Sequence, residues 1–126
     1  MIIIDTNAWV EYLLGSGQGL KVKKIISSQD CLTIHCTVSE LKSWSIRENK
    51  NFEELMNVVK ANSHLVKIEL EDWIAAAEIK QNMRKTNHDF GLVDALLLSV
   101  GKRINAKVVS GDPHFENIEG ALFLRE

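Results

Sequence analysis

Short, almost wholly apolar runs alternate along this chain with longer stretches in which apolar residues recur every three or four positions. Ile2-Ile3-Ile4, Cys31-Leu32-Thr33-Ile34, Leu65-Val66-Lys67-Ile68, Ala106-Lys107-Val108-Val109 and Ala121-Leu122-Phe123-Leu124 have the length and the side chains of strands, the third weakly and the last as an edge. The segments between them read as helices. Residues 6–14 point Trp9, Val10, Leu13 and Leu14 inward and stop at Gly15-Ser16-Gly17. Residues 19–28 set Leu20, Val22, Ile25 and Ile26 against an outer face of Lys21, Lys23 and Lys24. A capping box, Thr37-Val38-Ser39-Glu40, predicts a helix running to about residue 48. Residues 51–62 carry Phe52, Leu55, Met56 and Val59 at helical spacing, and residues 69–85 form another helix with Trp73, Ala76, Ala77 and Met83 among its apolar positions. Residues 91–100 are apolar nearly all round, which predicts a deeply buried helix. Strands that alternate with helices need crossover connections. The expected fold is therefore α/β, a mostly parallel sheet of four to five short strands with helices on both faces in three layers.

The length of 126 residues corresponds to one domain spanning 1–126 with one hydrophobic core. A net charge of −2 and a pI near 6.1 exclude a globally basic nucleic-acid binder, so any polyanion must be held by a local basic patch or through metal. Cys31 and Cys36 with scattered histidines at 35, 64, 88 and 114 make no zinc pattern. The cysteines read as small apolar fillers. No leader pattern and no run of about 18 apolar residues is present, so an intracellular, cytoplasmic protein without a membrane span is expected.

Four acids disturb this ordinary picture. Asp94 is the lone charge in its apolar helix, and Leu97 and Leu98 stand where a cation one turn onward could pair with it. An unpaired buried carboxylate costs several kcal/mol or stays protonated. Asp5 follows the first strand, Asp112 the fourth, and Glu40 comes less than two helical turns after the second. Each has a bland explanation as a helix cap, Asp112 above all because Pro113 follows it. Together they share a place: in a parallel sheet all four fall at the carboxyl edge, where ligands bind. Four convergent carboxylates repel one another, and a hard divalent cation relieves that repulsion. An all-oxygen site without histidine or thiolate suits Mg²⁺ or Mn²⁺.

Ile4-Asp5-Thr6-Asn7, Ser39-Glu40-Leu41, Leu92-Val93-Asp94-Ala95-Leu96 and Ser110-Gly111-Asp112-Pro113-His114-Phe115 resemble the four acidic motifs of PIN-domain ribonucleases, the fold of VapC-type toxins. The resemblance spans residues 2 to about 124, with Ser110 where the family commonly has threonine. It implies a Mg²⁺- or Mn²⁺-dependent endonuclease for single-stranded RNA. Asp5, Glu40, Asp94 and Asp112 would be its catalytic and metal-binding cluster, with Thr6, Asn7 and Ser110 positioning carboxylates or substrate. It also implies a homodimer and a small antitoxin partner. Lys42, Arg47, Arg84 and Lys85 are candidates to track the RNA backbone. Three other readings stay open: an RNA-processing PIN nuclease without an antitoxin, a non-catalytic PIN-like scaffold for RNA or protein, and a domain that accepts phosphate on Asp5. The last lacks the Asp-x-Asp pair of one phosphatase class, because position 7 is Asn.

Overall fold

In the computed structural model, which describes residues 1–125, five parallel strands form one sheet in the order β3-β2-β1-β4-β5. The strands are β1 (Ile2–Ile4), β2 (Cys31–Ile34), β3 (His64–Val66), β4 (Lys107–Ser110) and β5 (Ala121–Phe123). The helices are α1 (Thr6–Leu14), α2 (Gly17–Ser28), α3 (His35–Arg47), α4 (Phe52–Asn62), α5 (Leu70–Met83) and α6 (Leu92–Ile104), with a 3-10 turn at Pro113–Phe115. β1 lies at the centre, with Ile3 level with Leu32 on one side and Val108 on the other.

Successive residues of a strand face opposite sides, and β1 uses both. Ile3 joins a core with Leu96, Leu97 and Val100 of α6 and Ala76 of α5. Ile2 and Ile4 join a second core with Trp9 of α1, Val22 of α2, Leu41 of α3 and Val59 of α4. The sheet is thus the middle of three layers, and Asp5 is the first polar residue past its most enclosed strand. Two positions depart from the expected inward faces: Leu14 and Leu20 are more than half exposed, at 56% and 57%. The α1–α2 connection is tight instead at Gly19, where a Cβ would stand 2.1 Å from the Glu11 carbonyl oxygen. That close approach brings the two helix backbones together.

The start of α3 also differs from expectation. The helix begins at His35, directly off β2, with no side-chain cap at Ile34. Thr37 is then a buried first-turn residue rather than a cap, and Glu40 lies in the second turn and belongs to no capping box. Burial of the strand–helix junction outweighs the local capping preference.

Arg103 of α6 ties that helix to α5 through Asp72. The buried Asp72 carboxylate receives two 2.8 Å bonds from Arg103, Nε to Oδ1 and Nη2 to Oδ2, and the guanidinium holds its pKa below the usual carboxylate range. Arg103→Met leaves that carboxylate buried without its cation and is expected to cost about 3 kcal/mol or more. Asp72→Asn is expected to cost less, because Arg103 is 30% exposed and can turn to water. Urea unfolding measures both; equal losses would contradict this asymmetry.

Candidate active site

β1, β2 and β4 end side by side, and the residues that follow them meet. Asp5 leaves β1 with extended backbone angles and caps α1, its Oδ1 accepting from the Thr6 N–H at 2.7 Å. Its Oδ2 accepts from the Ser110 hydroxyl at the end of β4, also at 2.7 Å. The Thr6 hydroxyl donates to Glu40 Oε1 of α3 at 2.5 Å. Asn7 Oδ1 accepts from the Gly111 N–H at 2.9 Å. A Cβ at position 111 would stand 2.4 Å from Gln18 Oε1 and 2.8 Å from Asn7 Oδ1, so any larger residue there displaces those side-chain ends. Thr6, Asn7 and Ser110 therefore hold the carboxylates and the β4 turn in place.

Asp94 lies in the first turn of α6. Its Oδ2 accepts from the Gly91 N–H at 3.0 Å, an N-terminal placement that the helix dipole favours. Asp112 caps the 3-10 turn, its Oδ1 accepting from the His114 N–H at 2.9 Å, while its own N–H donates to the Ser110 hydroxyl at 3.0 Å. Serine 110 thus links Asp5 to Asp112. His114 joins the last two acids, with Nδ1 3.0 Å from Asp94 Oδ2 and 3.8 Å from Asp112 Oδ1. Asp94, expected to lack a partner, faces the His114 imidazole, and this histidine joins the acids although the histidines make no zinc pattern. Asp94 finds its partner 20 residues away in the chain, at a spacing from Asp112 that carries no zinc pattern.

Electrostatics also couple Asp5 to Glu40 and Asp94. Burial pushes the Asp5 pKa up to about 7, against the lowering effect of the Ser110 and Thr6 bonds, and the nearby charges of Glu40 and Asp94 raise it further. Only 6% of Asp5 is exposed. Donor atoms of Asp94, Asp112 and His114 lie within 4.8 Å of one another. A carboxylate that is costly to ionise beside a cluster of oxygen and nitrogen donors is the electrostatic setting that a divalent cation relieves. The donor set fits such an ion, and it is not the all-oxygen set expected, because an imidazole nitrogen stands beside the carboxylates.

Two of the expected RNA-tracking cations have structural contacts. Lys42 sits over the Phe52 ring, 4.7 Å from its centroid, and Arg84 Nε donates to the Phe90 carbonyl at 2.8 Å. Among the tryptophans, Trp9 is fully buried and its indole N–H donates to Thr33 Oγ1, while Trp73 is 44% exposed. Among the described residues, no helix is long and apolar enough to cross a membrane.

A parallel three-layer α/β/α domain with its acids gathered at the carboxyl edge defines the structural class. The chain belongs to the PIN domain family, whose sequence model matches residues 2–121. It is 28% identical over 123 residues to Ribonuclease VapC11 of Mycobacterium tuberculosis, covering 94% of this chain and 91% of that one. Among solved structures it is similar to Mycobacterium tuberculosis VapC20, described as a Sarcin-Ricin loop cleaving toxin, with a TM-score of 0.75, 16% identity and full coverage of both chains. It is equally similar to VapBC2 of Rickettsia felis bound to a promoter DNA fragment, with a TM-score of 0.75, 14% identity, and 98% and 97% of the two chains covered. At those identities the structural likenesses establish the fold, and they agree with the expected parallel α/β/α architecture.

Proposed function

We propose that this chain is a divalent-metal-dependent endoribonuclease of the VapC type, which hydrolyses phosphodiester bonds of single-stranded RNA and acts as the toxin of a toxin–antitoxin pair. The observation that carries this reading is the meeting of Asp5, Glu40, Asp94 and Asp112 at one sheet edge, with Asp5 held near a pKa of 7. The ribonuclease name of the 28% relative and the toxin descriptions of the structural neighbours support it.

Asp5, Asp94 and Asp112 would hold Mg²⁺ or Mn²⁺, with Glu40 completing the outer shell. When bound, the cation supplies an acidified water and offsets charge growing on the phosphate oxygens. The chain's own groups do the rest. Ser110 fixes the Asp5 carboxylate, and Thr6 fixes Glu40 so that its other oxygen can orient the attacking water. Asn7 keeps the Gly111 backbone close to the site. An exposed apolar patch on α5, formed by Leu70, Trp73 and Ile74, supports an interface with a second copy, and the enclosed acids suit blockage by an antitoxin segment. A cytoplasmic location suits an RNA substrate.

Purified protein is expected to cut a single-stranded RNA with Mn²⁺ or Mg²⁺ and to leave it intact in EDTA. Expression of the wild type, but not of Asp5→Ala, is expected to arrest growth. Absence of cleavage with both metals rejects the nuclease. Metal-dependent cleavage without growth arrest assigns the chain to RNA processing instead of toxicity.

A further inference from the structure

Resting on the metal-site reading above, we propose that the His114 imidazole is itself a ligand through Nδ1. The site then has a mixed carboxylate–imidazole donor set and prefers Mn²⁺ to Mg²⁺.

The placement of the ring supports this. The His114 N–H is tied to Asp112 Oδ1, and the ring lies against Phe90, 6.2 Å between centroids at 50°. Phe90 is fully buried and packs edge-on against Phe115, so the imidazole rests against the core. The ring is thereby aimed before any ion arrives, and such preorganisation lowers the entropy cost of ligation. A ring serving only to orient Asp94 needs one carboxylate in front of it. Nδ1 faces two, at 3.0 Å and 3.8 Å. Around a small octahedral cation with bonds of about 2.1 Å, adjacent donors stand roughly 3 Å apart and opposite donors roughly 4.2 Å apart. The observed separations lie within that range.

The chemical consequence is selectivity. Mg²⁺ takes oxygen donors and keeps its waters, whereas imidazole is a better donor to transition ions, and Mn²⁺ among them also accepts a carboxylate-rich set. Ligation through Nδ1 requires the neutral ring with its proton on Nε2.

Electron spin-echo envelope modulation of the Mn²⁺-loaded protein without RNA tests the assignment directly. The wild type should show ¹⁴N coupling to manganese, and His114→Gln should lose it. Calorimetry should find Mn²⁺ affinity lowered about tenfold or more in His114→Gln. Mg²⁺ affinity should stay within about threefold. Bound Mn²⁺ without nitrogen coupling in the wild type overturns the proposal, whether or not the variant folds. An equal loss of both metals also overturns it, because that is what a ring that merely positions Asp94 would produce. Failure of the wild type to bind Mn²⁺ at all removes the metal-site reading together with this one, whereas RNA cleavage by a nitrogen-free Mn²⁺ site leaves the nuclease standing and rejects the ligand alone.

Discussion

Asp94→Asn is expected to lower metal-dependent RNA cleavage by at least about a hundredfold while leaving the protein as stable as the wild type or more so. The carboxamide is isosteric, and its oxygen can still accept from the Gly91 N–H and face His114, the two contacts of Oδ2. What the variant loses is charge. Asp94 is one of the two acids whose charge raises the Asp5 pKa, so without a cation its negative charge works against the fold. With a cation that same charge holds the ion. Initial rates on a short RNA and a thermal melt in EDTA measure the two effects. Wild-type turnover by the variant would remove Asp94 from the chemistry, and a large fall in melting temperature would show that the charge is structural.

Asp5→Asn carries the largest effect on stability, and its sign depends on pH. Below the ordinary aspartate value of 3.8 the group is protonated in both folded and unfolded chains, and its pKa shift costs nothing. As pH rises from there to about 7 the unfolded chain releases the proton and the folded chain keeps it, so stability falls across this window. Above it the full cost applies, on the order of 4 kcal/mol for a rise from 3.8 to about 7. Asparagine does not ionise, and the Ser110 hydroxyl can rotate to accept from the new amide. In EDTA at pH 8 the variant should therefore melt roughly 5–15 °C above the wild type, with the gap closing toward pH 4.

Divalent metal should reverse that order, because it stabilises ionised Asp5 in the wild type and has much less to bind in the variant. Wild-type cleavage should accordingly rise with pH up to about 7, as the ion displaces one proton fewer. Melts at pH 4.5, 6 and 8, with and without Mn²⁺, check the whole pattern. A variant no more stable than the wild type at pH 8 in EDTA would mean that Asp5 ionises freely.

The alternation of strands and helices was legible from the chain because it is local. Three isoleucines and then Asp-Thr-Asn mark the end of a buried strand whatever the strand pairs with. The same applies to α6, where one acid among leucines stands out whatever packs against it, although its partner His114 lies outside that stretch. Exposure was not legible. Helical spacing names the apolar face but not whether anything covers it, so Leu14 and Leu20 looked inward and lie outside, while Trp73 stands at the surface. The start of α3 was misplaced for the same reason, since a capping box weighs about 1 kcal/mol and the packed junction at Ile34 weighs more.

By itself the sequence determined which residues carry charge and at which strand ends they emerge, because periodicity and turn chemistry act between neighbours a few positions apart. Only the tertiary structure decided that β1 lies between β2 and β4, and with it that Asp5 comes within reach of Glu40, Ser110 and Asp94. It also decided that His114 faces Asp94 and that Asp5 is enclosed enough to hold its proton near neutrality. Those properties depend on distances and on the sum of everything packed around a group, and no short stretch of chain contains that sum.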